Sequence, residues 1–179
     1  MLLVVAATEA ELRGADGVET LVCGIGPVDA AAATAAAIAE RKPDALLNVG
    51  LAGCRRGCGL EPPQLVLGAE AVYEDAAGVL VEARVQADAR LLELARRALS
   101  DAHVLPIGTS ARVGGTSGCA VEAMEGFAVL RTAALAGVPA LELRAIANEI
   151  EEADRTHWRF GDALAALEAV LPTVVRALG

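Results

Sequence analysis

A chain of 179 residues that is 55% hydrophobic but only 2% aromatic predicts one domain, residues 1–179, with a core of Ala, Val and Leu in close contact. Its formal net charge of −9 excludes nucleic acid and anionic membranes as general partners, because like charges repel. No apolar run reaches membrane-spanning length and the run at residues 2–7 is too short for a signal peptide, so a cytoplasmic protein is expected.

Short apolar runs alternate with longer Ala- and Leu-rich stretches, the pattern of an α/β domain with a mostly parallel sheet. Strands are predicted at residues 2–7 and 19–23. Pro27 opens a helix that runs to about Arg41, since a proline at the first helical position loses no needed hydrogen bond. Strands at 45–49, 64–72 and 79–83 follow, then a helix at 87–99. Two more strands, at 104–107 and 111–113, precede a helix at 121–136, which Gly137 stops ahead of Val138-Pro139. A strand at 140–145 and a helix at 156–178 complete the chain. Hairpin-like strands in the middle make the expected sheet mixed.

Open α/β sheets bind ligands beyond the carboxyl ends of their strands. That rule singles out Thr8-Glu9-Ala10-Glu11, Gly50-Leu51-Ala52-Gly53, Gly114-Gly115-Thr116-Ser117 and Ala147-Asn148-Glu149, with Met124-Glu125-Gly126 near a helix start. Singly, most have ordinary uses: Glu9 and Glu11 at a helix start, Asn148 in a turn, Met124 as core filler. Glu125 is harder to dismiss, because a carboxylate in an apolar stretch is seldom buried without a partner. The run from Cys23 to Asp29 begins like a dinucleotide fingerprint, but Asp29 stands where a third glycine belongs and Pro27 removes a donor. A tight strand-to-helix turn is expected there instead. Cys23, Cys54, Cys58 and Cys119 form no CxxC pair and are expected as free thiols, with no metal site and no cofactor.

Read together and in order, these segments resemble the methylthioadenosine nucleosidases and purine nucleoside phosphorylases over nearly the whole chain. The resemblance implies a three-layer α/β/α fold around a twisted, mixed, mostly parallel sheet, assembled as a homodimer or larger homo-oligomer. It implies cleavage of the N-glycosidic bond of a small-molecule purine nucleoside. By the same resemblance Glu11 deprotonates the attacking water, Asn148 contacts the departing purine, and Met124 and Glu125 hold the ribose. Gly50, Thr116, Ser117 and Phe127 become further candidate substrate contacts, with Trp158 and Phe160 as alternatives to Phe127 for stacking on the base.

Departures from that family narrow the expectation. Adenine-cleaving members carry Asp where this chain has Asn148; an amide cannot supply the proton, but it donates to O6 or N7 of a 6-oxopurine and accepts from a protonated ring nitrogen. Hypoxanthine is therefore favoured over adenine as leaving group. Thr8-Glu9-Ala10-Glu11 stands where phosphorylases need a glycine-rich anion loop, which favours water as nucleophile, and Leu51 replaces a common Ser. The run Asn148-Glu149, Asp154-Arg155, Trp158-Arg159 resembles the futalosine hydrolase branch, which serves a route to menaquinone. Futalosine, an inosine-like nucleoside with a carboxyphenyl ketone at its 5′ end, implies an apolar slot and a cation, for which Arg155 and Arg159 are candidates. Methylthioadenosine hydrolysis is the alternative; Arg55 and Arg56 keep a phosphate-dependent reaction open, and an inactive nucleoside-binding module is the non-enzymatic alternative.

Overall fold

The side chains of β1 (Leu2–Ala6) alternate, Leu3 and Val5 toward one face and Leu2, Val4 and Ala6 toward the other, and all are buried. A computed structural model describes residues 1–76, 80–115 and 118–179. β1 lies between two parallel neighbours, β2 (Glu19–Val22) and β3 (Ala45–Cys54). β4 (Leu65–Tyr73) pairs antiparallel with β5 (Arg84–Gln86) and parallel with β6 (His103–Thr109). β7 (Val121–Ala123) runs parallel to β6 and antiparallel to β3, while β8 (Ala140–Glu149) lies parallel to β3 and antiparallel to β4. β3, β8, β4, β6 and β7 thus close a ring, from which β1 with β2 and, separately, β5 extend. The sheet is mixed, as expected; its closure is an addition.

Two helix pairs cover the faces. α1 (Pro27–Arg41) packs on α3 (Gly126–Leu135) over Leu3, Val5 and Leu46, whereas α2 (Ala89–Ala98) and α4 (Phe160–Leu178) bury Leu91, Leu167 and Leu171 against Leu47 and Leu143. A third cluster, including Val66, Ile107, Val121 and Ile146, joins the ring strands. Pro27 does open α1, Asp88 caps α2 by accepting from the Leu91 amide, and Gly137, at φ 70°, ends α3. No helix among the described residues is long and apolar enough to cross a membrane.

Apart from the longer ends of β3 and β8, four expected elements differ. The strand expected at 79–83 begins on Val79, outside the described residues; Leu80 is 96% exposed, and the strand that forms is β5, where Arg84 and Gln86 both reach Glu70 on β4. Residues 111–113 form a turn rather than a strand, because Asp75 accepts from Ser110 Oγ (2.9 Å) and the Ala111 amide (2.6 Å). The helix expected from 121 starts only at Gly126, since Val121–Ala123 is taken into the ring by β3 and β6. Before α4 the chain makes a separate 3-10 turn at Arg155–His157, capped by Asp154.

Candidate active site

The residues that follow β1 make the first wall. A 3-10 turn, Glu9–Leu12, brings Glu11 back so that its Oε2 accepts from the Thr8 amide (2.9 Å) and Thr8 Oγ (2.8 Å). Its Oε1 accepts from the Leu51 amide on β3 at 3.1 Å. Glu11 is thereby buried and fixed at both oxygens, while Glu9 points to solvent.

The second wall comes from the end of β7. Glu125, 4% exposed, turns the chain into α3 and accepts from the Gly26 amide at 3.0 Å, so the turn between β2 and α1 supplies a backbone donor to it. Phe127 continues the helix with its amide donating to Thr109 Oγ (2.8 Å).

Arg144, fully buried on β8, ties both walls to the sheet. Its Nε donates to Glu142 (2.8 Å), its Nη2 to Asn48 Oδ1 (2.7 Å), and its Nη1 lies 3.5 Å from both Glu125 Oε2 and the Leu51 carbonyl. Asn48 in turn donates to the Val5 carbonyl. Burial works against the guanidinium charge, but Glu142 and Glu125 outweigh it and hold Arg144 protonated. Gly50 lies between these groups: a Cβ there would stand 2.3 Å from Arg144 Nη1 and 2.8 Å from Glu11 Oε1. Burial, reinforced by Glu125, pushes the Cys23 thiol up to about 11.

Above this floor is a cavity of about 370 Å³, lined by Glu11, Glu122, Met124, Glu125, Asn148, Trp158, Phe160 and apolar neighbours such as Ile25 and Leu51. Asn148 sits within β8 beside Gly53, where the β3–β8 register shifts, and donates to the Glu149 carbonyl at 2.9 Å. A Cβ on Gly53 would approach Asn148 Nδ2 to 3.1 Å, so glycine lets the amide lie close to β3. Trp158 meets Phe160 edge to face at 5.3 Å and donates to the Glu152 carbonyl, and the Arg155 guanidinium stands 5.3 Å over the indole.

Of the residues singled out from sequence, Glu11, Met124, Glu125 and Asn148 share this cavity, with Trp158 and Phe160 beside them, and Gly50 lies beneath it. Phe127 is placed elsewhere, stacked on Tyr73 at 5.1 Å along the α1–α3 groove. Thr116 and Ser117 lie outside the described residues. Arg159 pairs with Asp162 (2.7 Å) and Arg56 with Glu149 (2.7 Å), while Arg55 lies 3.4 Å from Glu151. Asp154, next to Arg155 in the chain, accepts from the Thr156 amide and hydroxyl. Sequence reasoning assigned no role to Arg144, Asn48, Glu142 or Glu122. Glu122, which accepts from the Gly114 amide at 2.6 Å, had a signal, a carboxylate inside the apolar run 119–124; Glu142 had the same signal.

Residues 14–119 match the family model of the phosphorylase superfamily. A futalosine hydrolase of Streptomyces coelicolor is 35% identical over 182 residues, covering 85% of this chain and 76% of that protein. Among solved structures, the 5′-methylthioadenosine/S-adenosylhomocysteine nucleosidase of Neisseria meningitidis, in complex with methylthio-immucillin-A, superposes with a TM-score of 0.86 at 23% identity, covering 99% of each chain. The native futalosine hydrolase of Helicobacter pylori gives a TM-score of 0.81 at 17% identity, covering 99% of this chain and 94% of that one. At these identities the two structures establish the fold.

Proposed function

Because the chain belongs to the phosphorylase superfamily, we propose that it hydrolyses the N-glycosidic bond of futalosine in this cavity, releasing hypoxanthine and dehypoxanthinylfutalosine. The observation that carries this reading is the convergence of Glu11, Glu125 and Asn148 on one cavity.

The chemistry follows from the charges that develop. As the C1′–N9 bond lengthens, the ribose becomes positive and the base negative, and a site must answer both. Glu11 takes a proton from the attacking water as its oxygen bonds to C1′, and its carboxylate stabilises the adjacent positive sugar. Glu125, with Met124 beside it, accepts hydrogen bonds from the ribose hydroxyls and fixes the ring for attack. Asn148 donates a hydrogen bond to the departing 6-oxopurine anion, and the proton that Glu11 took from the water returns to that anion through solvent, giving hypoxanthine. Trp158 and Phe160 offer the stacking surface for the base, a role for which Phe127 is poorly placed. Water is the nucleophile in this reading, and the ion pairs of Arg55 and Arg56 with Glu151 and Glu149 argue against a phosphate cradle built from them.

The reaction takes place in the cytoplasm, in one domain spanning residues 1–179. A second copy of the chain covers the apolar α1–α3 groove, where Val28 and Leu135 are exposed.

Hypoxanthine release from futalosine in phosphate-free buffer tests the reading, with inosine and methylthioadenosine as comparators. An absolute requirement for phosphate, or a preference for methylthioadenosine, overturns it. Glu11→Gln should lower kcat by about 10²–10⁴-fold while leaving nucleoside binding by calorimetry nearly intact; unchanged turnover removes Glu11 from the mechanism.

A further inference from the structure

Glu142 is a fully buried carboxylate that the hydrolytic chemistry does not use. Its Oε1 accepts from Arg144 Nε at 2.8 Å, and its Oε2 has no hydrogen-bond partner. Two glycines make room for it: a Cβ on Gly126 would stand 2.1 Å from Oε1, and one on Gly68 would stand 3.1 Å from the Glu142 Cβ. An apolar side chain would fill this slot without the cost of burying a carboxylate; burial pushes the Glu142 carboxyl up, and the adjoining Arg144 guanidinium works against that rise. Three carboxylates, Glu11, Glu125 and Glu142, surround one guanidinium, and they are held unequally. Arg144 makes its short contact with Glu142, whereas Glu125 stays 3.5 Å away.

We propose that Glu142 is a positioning residue: by occupying the Nε edge of Arg144 it keeps Glu125 out of a tight ion pair and available to the ribose hydroxyls. This rests on the hydrolytic reading above. Without Glu142 the full charge of Arg144 would draw Glu125 Oε2 inward, and the hydroxyl acceptor would be spent on the protein. The titratable groups around the guanidinium are Glu142 on its own strand, Glu125 before α3, and Glu11 after β1; Cys23 after β2 faces Glu125. Gly68 on β4 and Gly126 on α3, packed against the carboxylate, bring no charge.

The test is Glu142→Gln, assayed for purine release across pH with kcat and KM separated. KM should rise at least about tenfold, because ribose binding loses Glu125. The acid limb of kcat/KM should move to lower pH, because the substitution removes one negative charge from the cluster around Arg144. Glu142→Asp, which restores the charge, should return the limb toward its original position. A purely structural residue would lower Tm and the active fraction, hence kcat, and leave KM and the limb in place; that result overturns the proposal. If Glu142→Gln does not fold by circular dichroism, Gly126→Ala, whose Cβ pushes the carboxylate off Arg144, must raise KM and shift the limb the same way, and an unaltered KM and limb again overturn it. An unsubstituted enzyme that releases no purine from any nucleoside sinks the hydrolytic reading instead, so the two failures are distinguishable.

Discussion

Gly50 shows how closely the charged groups are set. Its backbone neighbours on β3 are ordinary strand residues, yet a methyl group there would collide with Arg144 Nη1 on one side and Glu11 on the other. Gly50→Ala should therefore cost about 1–3 kcal/mol by urea denaturation, as overpacking does, and also lower hypoxanthine release by displacing Glu11. A variant with wild-type stability and rate would show that the two side chains yield freely. Asn148→Asp addresses the leaving group: restoring a carboxyl beside the base should raise the ratio of methylthioadenosine to futalosine turnover by about tenfold, roughly 1.4 kcal/mol of transition-state preference. The thiols give a separate check on burial. Burial pushes Cys54 and Cys119 up to about 12 and Cys23 up to about 11, so all three should resist iodoacetamide at pH 8 in the native protein and react in denaturant, read by mass spectrometry.

At the scale of elements, the site is carried on strands that run farther than local pattern implies. β3 was expected to end near Val49 and β8 near Ala145, but they extend to Cys54 and Glu149 by pairing with each other. Gly50, Gly53 and Asn148, expected just beyond the strand ends, are therefore held within the ladder. Periodicity could not show this, because the hydrogen-bond partner of each extension lies elsewhere in the chain. The start of α3 depends on a similar long-range contact: Thr109 on β6 accepts from the Phe127 amide in a buried position. Thr109→Val leaves that donor unsatisfied and should lower stability by about 1–3 kcal/mol in urea unfolding, with a parallel loss of activity because Glu125 immediately precedes the helix. Equal midpoints would mean that water replaces the hydroxyl.

For the whole molecule, the proposed assembly rests on the face left bare by α1 and α3. Their groove, about 900 Å³, is almost wholly apolar, with Val28 78% and Leu135 73% exposed. Leu135→Arg should convert a dimer to a monomer by light scattering while leaving the circular dichroism spectrum unchanged; a monomer before substitution rejects the assembly. Alternating apolar runs, Pro27, Gly137 and the ordered site motifs were sufficient for the α/β class, for most elements and for the family likeness, since each reflects chemistry within a few residues. Neither the closing of five strands into a ring nor the pairing of Glu125 with the Gly26 amide, 99 positions away, is written in any local window. The same holds for the role of Arg144, because which carboxylates lie buried against it is decided only when distant strands are hydrogen-bonded side by side.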